Sequence, residues 1–296
     1  MSDPVKTIRI GTMVPGGKAV EAIRHLLPHG FESFEICFGN ETEEQLRTLA
    51  KQVGDVLKDQ DAVVSCLGIY GNPLESGEND LACVAMWERL IDNAHLFGAN
   101  VVSGFTGRLR GKSIDSSIPR FKEVFQPLAD RASVKGVRLA FENCDGDGTW
   151  RSGDWNIAHY PQAWEMMFEA VPNENIGLEW EPCHQMIKLI DPMAQLRKWA
   201  KRILHVHGKD ATVMWDVIRE YGITGSKPFF FHRTPGFGDS NWTDIISELR
   251  LSGFAGSIDI EGWHDPVYRG EMEVTGQIHA LNHLKRCRGG AFVPNY

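Results

Sequence analysis

The sequence predicts an α/β fold, a single (β/α)8 TIM barrel spanning residues 1–296. Three observations carry that prediction. Short β-branched or aromatic runs alternate with amphipathic segments from one end of the chain to the other, about eight times, which is the pattern of repeated βα units around a parallel sheet. The length of 296 residues suits one barrel, a fold that runs to about 250 residues as one unit before loop insertions. No Ser/Pro-rich linker, low-complexity tract or charge run divides the series.

The strands are predicted near Ile8–Met13, Ser33–Phe38, Ala62–Ile69, Asn100–Ser103, Val137–Glu142, Asn175–Glu181, Ile203–His207 and Ser257–Glu261, all parallel. Between them, Val84, Trp87, Leu90, Ile91 and Ala94 recur at helical spacing before Gly98, and Phe121, Val124, Phe125, Leu128 and Ala132 do so before Gly136. Glycine at such positions closes a helix in the left-handed conformation. Thr42 with Gln45 reads as a capping box, and Asp191 before Pro192 as an N-cap. Trp87, Trp164 and Trp199 fit helix packing. Two connections that follow strands are long, 145–160 and 208–242, and in a barrel such loops build the active-site face. Residues 286–296 read as an irregular tail.

Composition narrows the partners. A formal charge of −8 repels phosphate backbones, so a small molecule is expected rather than nucleic acid. No stretch approaches the ~18 apolar residues of a membrane span, and the N-terminus shows no secretory h-region. The six cysteines are scattered without a CxxC pair, which fits reduced thiols and a cytoplasmic location. Self-association into a homo-oligomer is left open.

The sharpest signal is parity. Successive strand side chains point to opposite faces. Val137, Leu139 and Phe141 oppose Arg138, Ala140 and Glu142; Ile176, Leu178 and Trp180 oppose Gly177, Glu179 and Glu181; Leu204 and Val206 oppose His205 and His207; Ile258 and Ile260 oppose Asp259 and Glu261. A barrel interior holds no bulk water, so charges there must be paired, protonated or metal-bound. Arg138, Glu179, His205 and Asp259 would form a deeper network. Glu142, Glu181, His207 and Glu261, at the strand ends, have no cationic partner at matching height in the sequence, and a divalent cation would satisfy them. Mn²⁺ is the first choice, with Mg²⁺, Co²⁺ or Zn²⁺ open, because ligand type alone does not select the metal. His205 reads either as a core histidine or as a support for the ligands.

At these residues the sequence resembles the sugar phosphate isomerase/epimerase superfamily, the xylose-isomerase-like TIM barrels that include ketose 3-epimerases, inosose dehydratases and endonuclease IV. The stretches that carry the resemblance are Phe141-Glu142-Asn143, Glu181-Pro182-Cys183-His184, His205-Val206-His207-Gly208-Lys209-Asp210, Pro235-Gly236-Phe237-Gly238-Asp239 leading to Trp242, and Ile260 to Pro266. The resemblance implies one divalent metal held by Glu142, Glu181, His207 and Glu261, acid/base roles for Glu142 and Glu261, and substrate contact by His184. The sixth-strand ligand in the epimerases is usually aspartate, so Glu179 stays open as a rival to Glu181. A glutamate and an arginine that epimerases use on substrate have no counterparts near Asp147 and Val213.

The expected reaction is isomerisation or epimerisation of a keto-sugar or sugar derivative, by proton abstraction through an enediolate stabilised by the metal. A lyase or dehydratase acting on a keto-inositol or keto-sugar is the alternative, and a DNA repair enzyme like endonuclease IV is third. Trp150, Trp155, Trp215 and Trp263 fall in loops on the expected mouth, where ring faces stack on sugar CH groups or pack internally. Lys209, Arg233 and His232 are candidates for an anionic or glycosidic part of the substrate, or are solvated loop residues; Lys209, Arg233, Trp150 and Trp263 are taken with His184 as the substrate-binding set.

Overall fold

The structure, a computed structural model, describes residues 7–290 and 292–296. Its strands in chain order are β1 (Arg9–Pro15), β2 (Ser33–Phe38), β3 (Val63–Ile69), β4 (Val101–Gly104), β5 (Arg138–Glu142), β6 (Ile176–Trp180), β7 (Ile203–Gly208), β8 (Asp210–Val213), β9 (Phe230–Arg233) and β10 (Ser257–Ile260). Eight of them close into a parallel barrel in the order β1-β10-β7-β6-β5-β4-β3-β2, with helices between successive strands. The runs read from sequence are those eight, with ends displaced by one or two residues, as strand ends usually are.

The chain divides into two compact units, Met13–Trp180 with Arg202–Val206, and Met1–Thr12 with Glu181–Lys201 and His207–Tyr296. In the larger unit β2 through β6 pair in parallel in chain order, and β6 pairs with β7. The outward face of β5 carries the predicted parity: Phe141 is fully buried and packs on Phe125 at 4.9 Å and Phe121 at 5.5 Å, with Trp87 against Phe125 at 5.4 Å. Such edge-to-face pairs add to the gain from area burial. Helix ends follow the sequence signals. Gly98 and Gly136 adopt φ of 70° and 68°, Thr42 and Gln45 bond reciprocally as a capping box, and the Asp191 carboxylate accepts from the Met193 N–H at 2.9 Å.

The parity fails at one position. The register shifts between Leu178 and Glu179, whose partners are Ile203 and His205, so Leu204 is an extra residue in β7. Leu204 was expected to face the helices. Instead it packs on Cys66, Val101 and Ala140, because a bulge interrupts the alternation. Gly177 makes room for this: a Cβ there would lie 2.2 Å from the Arg202 carbonyl and 2.7 Å from Leu204 Cγ.

In the smaller unit β1 pairs with β10, and Thr12 Oγ1 donates to the Ile260 carbonyl at 2.9 Å. The connection 208–242 is more than a loop. β8 and β9 form an antiparallel hairpin, Asp210 opposite Arg233 through Val213 opposite Phe230, with a helix Trp215–Tyr221 inside it. Its strands have four residues each and are half exposed, so neither length nor alternation announced them. Both feet of the hairpin are fastened. The buried Asp210 carboxylate accepts from the Ala211 and Ser240 N–H groups and Trp242 Nε1; the buried Asp265 carboxylate accepts from Arg233 Nε and the N–H groups of Thr234, Val267 and Tyr268. The expected irregular tail also needs correction. The last helix runs Glu273–Arg288, and Arg288 is anchored by donating to the Ile8 carbonyl at 2.8 Å, so irregular chain begins only at Gly289. Residue 291 of that tail lies outside the described residues.

Candidate functional site

In the smaller unit, three of the expected ligands come together. Glu181 follows β6 directly, His207 ends β7, and Glu261 follows β10, where its N–H donates to the Gly208 carbonyl at 3.3 Å. One donor atom from each lies within 4.8 Å of the others, and all three residues are buried. Pro182 starts the short helix Cys183–Met186, which returns His184 over Glu181, Nε2 to Oε1 at 3.1 Å. Cys183 Sγ donates to Glu181 Oε2 at 3.2 Å.

The expectation that no cation stands at this height is overturned. Lys209, one residue past β7, is 2% exposed and places Nζ 2.8 Å from Glu261 Oε1, 3.4 Å from His184 Nε2 and 4.0 Å from Glu181 Oε2. It was read from sequence as a substrate contact because it lies beyond the strand, where alternation gives no direction. Burial would raise both carboxyl pKa values, but Lys209 outweighs it with help from the histidines. Glu181 is held well below the carboxylate range by Lys209, His184 and His207; Glu261 is lowered to about 2 by Lys209, a hydrogen bond from His264 and His207, against the repulsion of Glu181. Both are therefore ionised at neutral pH.

These residues fit a divalent cation. Two buried carboxylates converge beside the His207 imidazole, and the one ammonium present, Lys209, makes its hydrogen bond to Glu261. Lys209 and His264 occupy Glu261 Oε1, the latter at 2.9 Å, while among the described residues the buried Glu261 Oε2 meets no hydrogen-bond donor. An orphaned buried carboxylate oxygen beside an imidazole and a second carboxylate is a donor set for oxygen-preferring metals.

The other candidates of this unit have different surroundings. His232, on β9, lies 5.2 Å from His184 and 5.8 Å from His264 between ring centroids, tilted against each. Arg233 alternates to the other face of β9 and is a structural tie, its Nε 2.9 Å from Asp265. Trp263 is 43% exposed and Trp215 52%. Burial first, and then the Lys209 charge, lower the His232 pKa from its ordinary 6.5 to about 4. Above pH 6.5 this histidine is neutral in both states. As pH falls toward 4 the unfolded chain takes up a proton that the folded site refuses, so stability should decline by roughly 3 kcal/mol in that window and level off below it. His232→Gln should remove this component from urea-denaturation curves; equal pH slopes in the two proteins would count against it.

In the larger unit, Glu142 ends β5 and is 3% exposed, followed by the buried Asn143. The chain beyond it is held by a residue that sequence reading missed. Asn156 Nδ2 donates to the carbonyls of Glu142 and Cys144, both at 2.7 Å, and its Oδ1 accepts from the N–H groups of Thr106 and Ala158 and from the Thr106 hydroxyl. The same loop is pinned by Arg108, fully buried, which donates to the carbonyls of Lys112, Thr149 and Trp150. Trp150 is half-buried, 5.9 Å from Tyr160, so its contribution visible here is its carbonyl and its packing. Trp155 is 49% exposed.

The deeper layer of this unit differs in membership from the expected one. Tyr70 shares its single hydroxyl hydrogen between Glu35 Oε1 at 2.5 Å and Glu179 Oε2 at 2.9 Å, and Ser103 Oγ donates to Glu35 at 3.1 Å. His205 lies 3.8 Å from each carboxylate. Burial, then the Glu179 and Glu35 charges, raise the Tyr70 pKa well above its usual value, which keeps it a donor. Arg138 is not in this network: its guanidinium reaches Asn100 Oδ1 at 3.5 Å, because it stands at the start of its strand. Glu35 carries a signal in the sequence, since it is the one charged residue in the apolar run of β2. Gly68 admits it, as a Cβ there would lie 2.5 Å from Glu35 Oε1.

Among the described residues no helix is long and apolar enough to cross a membrane. Comparison with known proteins agrees with the barrel. Over a stretch of 184 residues the chain is 28% identical to the rhizopine catabolism protein MocC of Rhizobium meliloti, covering 60% of this chain and 49% of MocC, so the match spans about half the length of that relative. The structure superposes on 3-keto-D-glucoside 4-epimerase, YcjR, of E. coli with a TM-score of 0.69 at 17% identity, over 95% of this chain and all of that one. It superposes on the IolI protein with a bound zinc atom with a TM-score of 0.65 at 15% identity, over 95% and 96% of the two chains. The family model described as xylose isomerase-like TIM barrel matches residues 23–287, and the chain therefore belongs to that family.

Proposed function

We propose that the chain is a single-domain, divalent-metal-dependent isomerase or epimerase acting on a keto-sugar or sugar derivative. The observation that carries this reading is the buried trio Glu181, His207 and Glu261, in which Glu261 Oε2 has no donor among the described residues. Glu142 is taken as the fourth ligand. In its support, Glu142, Glu181, His207 and Glu261 stand at the C-terminal ends of β5, β6, β7 and β10, which are consecutive in the barrel, and barrel chemistry gathers at that end. The 3-keto-D-glucoside epimerase among the superposed structures is consistent with a keto-sugar, and the zinc-bearing one with a divalent metal. Mn²⁺ remains the first choice, and Mg²⁺, Co²⁺ or Zn²⁺ would be held by the same atoms.

The cation, when bound, offsets the negative charge that grows on a carbonyl oxygen as the neighbouring carbon loses its proton. The protein moves that proton. Glu261, deprotonated at neutral pH, is assigned the role of base, and Glu142, on a strand separated from it by two others around the ring, returns a proton from the other side, inverting the centre. His184 and Lys209 are placed to hold substrate oxygens. One observation favours a second reading: the buried Lys209 ammonium beside Glu261 could donate a proton to a leaving hydroxyl, which would make the enzyme a lyase or dehydratase.

The test is to titrate the metal-free protein with Mn²⁺ and incubate it with a panel of keto-hexoses in deuterated water. Epimers of unchanged constitution carrying solvent deuterium are expected, and a product that has lost water selects the lyase. A protein that binds no divalent metal, or turns over equally well without it, would overturn both.

A further inference from the structure

The rings beside the centre form a continuous row. From Glu181, His184 meets His232 at 5.2 Å between ring centroids, His232 meets His264 at 5.8 Å, and His264 meets Trp263 at 5.3 Å, each pair tilted by 46–56°. Exposure rises along it, from 3% at His184 to 43% at Trp263, with His232 intermediate and the His264 side chain at 38%. One end touches the carboxylates and the other reaches solvent.

The row is built, not incidental. Trp263 holds a left-handed backbone, φ 50°, which is costly for a bulky residue and persists only where its surroundings enforce it. Here His264 N–H donates back to the Gly262 carbonyl at 2.7 Å, and Gly262 lies so close to Gln277 that a Cβ would be 2.7 Å from its Nε2. Asp265 then fastens this turn to Arg233 and Thr234, the residues after His232, and so sets β9 beside the turn. The turn so held leaves the indole and the His264 imidazole partly exposed, at 43% and 38%.

A monosaccharide held at the carboxylates would meet His184 first, with His232, His264 and Trp263 lying beyond it toward solvent. The geometry points to a subsite for a second pyranose ring, so that the substrate is a glycoside or disaccharide-like molecule whose reacting ring sits at Glu181 and Glu261 and whose outer ring lies on His232, His264 and Trp263. Imidazoles suit a pyranose better than an aryl group does, since their faces meet CH groups and their ring nitrogens meet hydroxyls. Burial and the Lys209 charge lower the His232 pKa to about 4, so at neutral pH it meets a ligand as a neutral ring. This inference rests on the keto-sugar reading for the inner ring only.

Calorimetric titration of the full chain with methyl β-D-glucoside, methyl β-cellobioside and phenyl β-D-glucoside tests it without turnover. The two-ring sugar should bind about tenfold more tightly than the one-ring sugar and more tightly than the phenyl glucoside. Trp263→Ala and His232→Ala should each abolish the difference, and Trp263→Phe should keep most of it. Equal affinities, no binding of the cellobioside, a preference that survives both alanine variants, or a phenyl glucoside that binds as well as the disaccharide would overturn the subsite. The two readings fail separately. A cellobioside preference in a protein without metal-dependent turnover sinks the epimerase reading and leaves the subsite, whereas turnover of monosaccharides with no preference does the reverse.

Discussion

Glu261→Gln is expected to lower solvent deuterium exchange into a keto-sugar substrate by about 10²–10⁴-fold, the contribution of a positioned acid/base group, with the circular dichroism of the fold unchanged. Glutamine keeps the volume and one carbonyl-type acceptor, so Lys209 and His264 retain a partner where Glu261 Oε1 now stands. What is lost is the second ionised oxygen, the atom without a donor among the described residues. Glu142→Gln should show a loss of similar size, because inversion needs a proton acceptor on one side and a donor on the other. Mn²⁺ affinity, followed by electron paramagnetic resonance, separates ligation from proton transfer. Full exchange retained by either variant would remove that residue from the acid/base pair.

Asn156→Ala is expected to destabilise the protein by about 3–4 kcal/mol. The amide makes two donations at 2.7 Å and accepts from three donors, and truncation strands buried groups at about 1–3 kcal/mol each, partly relieved by water. Asn156→Asp is no rescue, since it turns an acceptor toward the carbonyls of Glu142 and Cys144. Activity should fall further than stability predicts, because the Glu142 carbonyl is one of the two anchored. Urea denaturation decides: a loss under about 1 kcal/mol would show that water replaces the amide.

The barrel was legible because its strands are short apolar runs with strict alternation, and alternation is a property of sequence. The same rule located Glu181, His207 and Glu261, each at the end of a strand whose opposite face is apolar. It failed where the backbone departs from the rule, as at Leu204, where one extra residue shifts the register, and where a residue lies past the strand, as Lys209 does. Loop residues were beyond it altogether. Asn156 and Arg108 act through carbonyls of a loop whose path depends on contacts distant in sequence, Asn156 and Thr106 being 50 positions apart. Glu35 is within reach of the rule, as a lone charge in the largely apolar and buried run of β2.

The hairpin formed by β8 and β9 has a consequence for how this protein can vary. Its feet are riveted by two buried aspartates, Asp210 and Asp265, while the span between Met214 and Phe229 is closed by a single backbone bond, from the Met214 N–H to the Phe229 carbonyl, and is largely solvated. Insertions, deletions or drift in that span stop at the ladder and are not transmitted to His232 or Lys209. The outer edge of the molecule here is thus free to be rewritten by selection while the chemistry beneath it stays in register.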